Sequence, residues 1–124
     1  THAVAVHGND GLDEVTLTDQ TLVADYRNGT VETYQITPEE FGFKRVPLEA
    51  LLGGDVSDNL QILLEVLNGR PGVHRTMVVL NAAVALYAAD KVASIREGIA
   101  LSQESLDSGR ALKKLALLKE CSRS

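Results

Sequence analysis

The chain has 124 residues, 44% of them hydrophobic, and sets 12 Lys and Arg against 17 Asp and Glu for a formal charge of −5. That is enough chain for one domain with one core, and an acidic balance without a basic stripe excludes a protein that tracks nucleic-acid phosphates. The lone Cys121 excludes an internal disulfide or a cysteine-rich zinc site, and no apolar run approaches the roughly 20 residues of a membrane helix, so a soluble, cytoplasmic chain with no membrane partner is expected.

The first element is the run Ala3-Val4-Ala5-Val6, apolar almost without interruption, which predicts a strand covered on both faces, as in parallel or mixed sheets. HAVAV is too short and wrongly flanked for a signal peptide, and a start at Thr1, on the edge of a strand, points to a piece of something longer. Directly behind the strand stands HGNDGLDEV, His7 to Val15, in which Gly8 and Gly11 permit a sharp turn. Asp13 and Glu14 then present adjacent carboxylates at the carboxyl end of a strand, where α/β sheets hold their ligands. Two readings stand side by side. One is a solvated acidic turn; the other is a magnesium site, because Mg²⁺ is usually held by one or two carboxylates while substrate phosphates and water complete the octahedron. A calcium loop is excluded, since aligning Gly8 or Gly11 with that loop's glycine puts Ala3 or Val6 at the first ligand position. His2 and His7 point to opposite faces of one strand and cannot share a metal.

Next, Leu22 to Arg27 and Thr30 to Ile36 flank Asn28-Gly29, the signature of a two-residue type I′ turn and hence of a β-hairpin. With that loop, Arg27 faces Thr30 and Tyr26 faces Val31, so Leu22, Ala24, Tyr26 and Val31 share one face. The reverse face pairs Asp25 with Glu32, a like-charge contact expected only in water, so that side of the hairpin is read as the exposed one. Asn28-Gly29-Thr30 also spells a glycosylation sequon, a coincidence in a tight turn.

Composition changes character at about Pro47, dividing a strand and hairpin region, residues 1–46, from a helical region, residues 47–124. Thr37-Pro38-Glu39-Glu40 makes a capped single turn at most. Asp55 is placed as the N-cap of a helix to about Asn68, with Leu60, Leu63, Leu64 and Leu67 on one stripe and Gly69 past its end. From Val73 to Asp90 the run VHRTMVVLNAAVALYAAD is apolar almost all round and predicts a helix buried between layers. Two more helices follow, near Ala93 to Ser108 and Arg110 to Glu120.

Other candidate chemistry is sparse. Leu52-Gly53-Gly54-Asp55 has the look of a phosphate-cradling loop but lacks the Lys and Ser/Thr of a P-loop and follows a short helix, so it reads as a turn with a helix cap. No serine or cysteine occupies a nucleophile elbow, and Cys121 in the tail is inert. His74, Arg75 and Asn81 lie on the apolar helix, where local hydrogen bonding or a solvent-facing edge accounts for them.

The segments together carry a resemblance. HGNDGLDEVT resembles the HGxDGxDE segment of the anthranilate phosphoribosyltransferase family, and TPEEFGF, PLEALLGGD, DNLQILLEVLNG, LNAAVALYAAD and REGIALSQESLDSGRALKKL resemble the family's text in the same order, over essentially the whole chain. The resemblance implies an α/β fold, specifically the C-terminal part, about the last third, of a mixed-sheet domain of the nucleoside phosphorylase/phosphoribosyltransferase type: strand, β-hairpin, then four helices. It implies transfer of a phosphoribosyl group from phosphoribosyl pyrophosphate to anthranilate in tryptophan biosynthesis, with Mg²⁺ as cofactor and a homodimer as the complete enzyme. Asp13 and Glu14 match the family's magnesium-holding acid pair. The family's N-terminal helical domain, its GTGGD diphosphate loop and its KHGN segment belong upstream of the strand that HAVAV resembles, and none is present in this chain. Gly53-Gly54-Asp55 sits at the later, helix-capping position and inherits no diphosphate role. No catalytic residue and no substrate contact is therefore assigned, and the 124 residues alone are expected to be inactive without that upstream region as partner. Two rivals stand beside this reading: a pyrimidine nucleoside phosphorylase-like enzyme, whose motifs do not follow PLEALLGGD and LNAAVALY in this way, and a non-catalytic binding module descended from the enzyme.

Overall fold

A computed structural model describes residues 1–124. Three strands, β1 (His2–Gly8), β2 (Thr21–Arg27) and β3 (Thr30–Ile36), form one sheet in the order β1-β2-β3, and within this chain every pair is antiparallel. Single 3₁₀ turns at Pro38–Phe41 and Leu48–Leu51 lead to four helices: α1 (Val56–Leu67), α2 (Val73–Ala88), α3 (Ile95–Asp107) and α4 (Arg110–Arg123). The strand, the hairpin and the four helices thus stand in the expected order. No helix is long and apolar enough to cross a membrane.

The hairpin register is the one its turn dictates. Asn28 and Gly29 both have positive φ, 53° and 84°, as a type I′ turn requires, and Arg27 pairs with Thr30, Tyr26 with Val31 and Asp25 with Glu32. The assignment of faces is reversed, however. Thr21, Val23 and Asp25 are the buried residues of β2, whereas Leu22 and Tyr26 are 39% and 38% exposed and Val31 is 60% exposed. The face expected to lie in water is the covered one because its carboxylate finds partners. The Asp25 carboxylate accepts hydrogen bonds from Tyr87 Oη at 2.5 Å and from His2 Nε2 at 2.9 Å. His2 Nδ1 lies 2.9 Å from Asp90 Oδ1, and Arg27 reaches Asp90 at 3.2 Å while stacking over the Tyr87 ring. Burial works to raise the Asp25 pKa, but the hydrogen bonds from Tyr87 and His2 and the charges of His2 and Arg27 outweigh it and hold the group below the usual carboxylate value. The hydrogen bond to Asp25, together with burial, pushes the Tyr87 phenol up to about 12.

Two further elements, β1 and α2, are read as covered on all sides, and within this chain each is covered on one side only. β1 is covered on one face only: Val4 and Val6 pack toward the core, while Ala3, Ala5 and His7 are exposed on the other side. α2 is likewise not buried all round; Val79, Leu80, Ala83 and Val84 form its buried stripe, and Val78 and Ala85 are exposed. Residues apolar on both sides of an element need two covering layers, and this chain supplies one.

The core gathers Val15, Leu17, Val23, Val79, Leu80, Ala83, Ile95 and Ile99 between the sheet and the helices. α3 buries Ile95, Gly98, Ile99, Ser102 and Leu106, a stripe at helical spacing, and Ser94 caps its start by accepting from the Glu97 amide at 3.2 Å. Gly98 lets α3 press directly on α2, since a Cβ there would stand 2.7 Å from the Ala83 carbonyl oxygen. That close crossing fixes α2, and α2 carries one wall of the candidate site.

Candidate functional site

The loop of residues 9–20, between β1 and β2, is folded around Asp10. One oxygen of its carboxylate accepts from the Leu12 amide at 3.0 Å; the other accepts from Thr16 Oγ1 at 2.7 Å and from Thr18 Oγ1. Burial tends to raise the Asp10 pKa, yet these donors prevail and lower it. Gly8 must lack a side chain here, because a Cβ would stand 2.5 Å from Asp10 Oδ1 and 3.1 Å from Thr16 Cγ2. The turn closes through Gly8 N–H to Leu12 O and Gly11 N–H to Gly8 O, both 2.9 Å, with Gly11 at φ +96°.

This knot leaves Asp13 and Glu14 exposed, directly ahead of the buried run Val15-Thr16-Leu17. Neither takes part in any of the chain's ion pairs. No third His, Cys, Asp or Glu joins them in a cluster. The two acids line the edge of an apolar groove of about 500 Å³ formed by the loop, the 3₁₀ turn at Leu48–Leu51, α1 and α2. Leu51, Leu52, Ile62 and Leu63 supply one side and His74, Met77 and Val78 of α2 the other. The structure thus brings the two sequence-predicted metal ligands together with His74, for which the sequence alone suggests only a local role. Arg75 does bond locally, to Asp107 at 2.8 and 3.2 Å and to the Gly69 carbonyl at 3.2 Å.

Gly53 lines the groove, and Gly54 and Asp55 after it lead into α1 as its cap. Asp55 Oδ1 accepts from the Asp58 amide at 2.9 Å, and Asp58 Oδ2 accepts in return from the Asp55 amide at 3.2 Å. The Gly54 amide is already bound to Asn59 Oδ1 at 3.0 Å, so the amide an anion would need is occupied. His2 and His7 lie on opposite faces of β1, as their spacing requires, and Cys121 is exposed on α4.

Two residues that shape the loop escape sequence reasoning. Asp10 looks like one more loop acid, and Asn81 like a locally satisfied helix residue. Asn81 reaches from α2 to Val15, accepting from the Val15 amide and donating to the Val15 carbonyl, each at 2.9 Å. A lone amide in the apolar run VVLNAAVAL is the signal that could have found it, since a half-buried amide in such a run requires polar partners.

Residues 1–112 match the model of a family described as the glycosyl transferase family, a/b domain. An anthranilate phosphoribosyltransferase of Symbiobacterium thermophilum is 45% identical over 119 residues, which are 96% of this chain and 35% of that protein. The crystal structure of anthranilate phosphoribosyltransferase from Thermus thermophilus superposes with a TM-score of 0.88 at 38% identity, covering 100% of this chain and 36% of that one. The Saccharomyces cerevisiae enzyme in complex with PRPP and Mg gives a TM-score of 0.81 at 29% identity over 91% of this chain and 33% of that one. The chain therefore spans about a third of the length of the relatives it matches.

Proposed function

Because this chain belongs to the glycosyl transferase family, a/b domain, we propose that it is the acid-pair-bearing part of an anthranilate phosphoribosyltransferase. The complete enzyme moves the phosphoribosyl group of phosphoribosyl pyrophosphate to the amine of anthranilate and releases pyrophosphate, a step of tryptophan biosynthesis. Relatives of that activity, matched over nearly the whole of this chain, support the reading. The observation that carries the assignment within the chain is the pair Asp13 and Glu14, exposed, outside every ion pair, and set at the edge of a groove.

The residues present fit Mg²⁺. Two hard carboxylates without a third protein ligand match a cation that keeps several waters and takes its remaining ligands from substrate phosphates. When bound, the ion neutralises charge that develops on the leaving pyrophosphate. The chain's own part is to hold two carboxylates at a set place: Asp10 closes the turn behind them, and the buried Val15-Thr16-Leu17 run anchors the chain after them. On the same reading the complete enzyme is a cytoplasmic homodimer, with the diphosphate loop and most anthranilate contacts in the remaining two thirds.

Replacing Asp13 by Asn and Glu14 by Gln together in the complete enzyme tests the assignment. Turnover is expected to fall by about 100-fold. Thermal stability should stay within about 0.5 kcal/mol, because exposed loop charges contribute little to folding. Unchanged turnover at limiting magnesium would sink the assignment.

A further inference from the structure

We propose that Asn81 is a positioning residue for the acid pair, so that the affinity for magnesium is set partly from α2; the proposal rests on the reading above that Asp13 and Glu14 hold the ion. Val15 follows Glu14 directly and is 1% exposed. Its peptide N–H donates to Asn81 Oδ1 and its carbonyl accepts from Asn81 Nδ2, both at 2.9 Å. One planar amide thus answers both polar groups of a buried residue, as a neighbouring strand would. Asn81 Nδ2 also donates to the Met77 carbonyl one turn earlier at 3.0 Å, which pins the side chain on its helix.

The placement is specific to the site. His74, Met77 and Val78 wall the groove, and Asn81 is the next residue along the same stripe of α2. The helix face that shapes the groove also sets where the two carboxylates stand over it. Asp10 closes the turn from within, through Leu12, Thr16 and Thr18, so the loop has its own closure. What Asn81 adds is the tie between loop and helix, over 66 residues of sequence. Asn presents an acceptor and a donor on separate atoms of one short planar amide; Gln carries the same groups one methylene farther out.

Groups that orient a metal's ligands without touching the metal typically change its affinity by about 10 to 100-fold when removed. The test uses the complete enzyme as parent, Asn81→Ala, Asn81→Gln and the Asp13→Asn, Glu14→Gln double variant. Binding of Mn²⁺ in the presence of inorganic pyrophosphate, followed by the loss of the free-ion EPR signal, reads the site without turnover; magnesium half-saturation and kcat are measured beside it. Hydrogen exchange at the Val15 amide reports the tie itself.

Asn81→Ala is expected to weaken Mn²⁺ binding and raise the magnesium half-saturation by about tenfold or more, with faster Val15 exchange and kcat little changed at saturating magnesium. Asn81→Gln, which keeps both hydrogen-bonding groups and so stays closer to the parent in stability, is expected to weaken metal binding as well. A role in folding alone would instead lower stability and leave the metal constants of the folded molecules where they were, and that result overturns the proposal. Should Asn81→Ala fail to fold, unaltered Mn²⁺ affinity in Asn81→Gln overturns it equally. If the double variant itself binds Mn²⁺ like the parent, the acid-pair reading has failed, an outcome distinct from normal binding by the Asn81 variants alone.

Discussion

On the inner face of the sheet, Val4, Val6, Val23 and a carboxylate, Asp25, lie toward α2; on the outer face, Ala3, Ala5, Leu22, Tyr26 and Val31 meet solvent around a half-buried Ala24. The charged residue is covered and the apolar row is not. What separates the two faces is therefore not their average polarity but the layer packed on each and the partners that layer brings. The helix α2 lies on β1 and carries Tyr87, whose hydroxyl donates to Asp25, while Asp90 just past its end receives His2. With those bonds made, a buried carboxylate is tolerated, whereas without them it would be among the most costly groups a core can hold.

The largest effect expected from breaking this arrangement comes from Asp25→Ala. It leaves Tyr87 and His2 facing a gap, and removing one partner of a buried charged pair costs about 3 to 5 kcal/mol. Urea unfolding should show the loss, while turnover per folded molecule of the complete enzyme persists, because this cluster belongs to neither the loop nor the groove. The same carboxylate gives acid sensitivity with a definite sign. Its folded pKa lies below the ordinary value of 3.8, so its stabilisation is present above that value and is lost as pH falls through the lowered one. The acid limb of the stability profile should flatten in the variant. A variant as stable as the parent at neutral pH would show that the cluster holds nothing.

The contrast between the faces also explains which parts of the fold are legible in the sequence. Register follows from Asn28-Gly29 alone, since positive φ at two consecutive positions is a local demand met by local residues. The choice of covered face is not local. The Asp25–Glu32 pairing can be read from the sequence, but the partners that make it acceptable lie 23 residues back at His2 and 62 residues on at Tyr87. The site divides in the same way. Asp13 and Glu14 are adjacent and follow a strand, so their pairing can be read directly. Asn81 cannot be placed beside them, because the contact to Val15 spans two elements whose packing is decided by the Gly98 crossing and the core.

A smaller effect is expected at the hairpin turn, which joins β2 to β3 and sets their register. Gly29 has φ +84°, with open space where a side chain would stand, so Gly29→Val meets no clash and isolates backbone strain. A β-branched residue in that region costs about 1 to 2 kcal/mol. Activity per folded molecule should remain. Stability equal to the parent's would mean that the turn is free to change type without disturbing the register below it.

The smallest effect belongs to the outer face. Val31 is 60% exposed and stands opposite Tyr26, itself 38% exposed. Val31→Thr keeps the β-branched shape that suits a strand and exchanges one methyl for a hydroxyl that water can hydrate. In the 124-residue chain the change in stability should therefore stay within about 0.5 kcal/mol by urea unfolding. In the complete enzyme the expected cost rises to about 1 to 3 kcal/mol, the penalty of burying a hydroxyl that finds no partner. That rise follows from the apolar row itself: Ala3, Ala5, Leu22, Ala24, Tyr26 and Val31 have the composition of a covered face, and the remaining two thirds of the enzyme would supply the layer this chain lacks. An equally small cost in both settings would mean that the row faces water in the complete enzyme too, and that its composition reflects strand propensity alone.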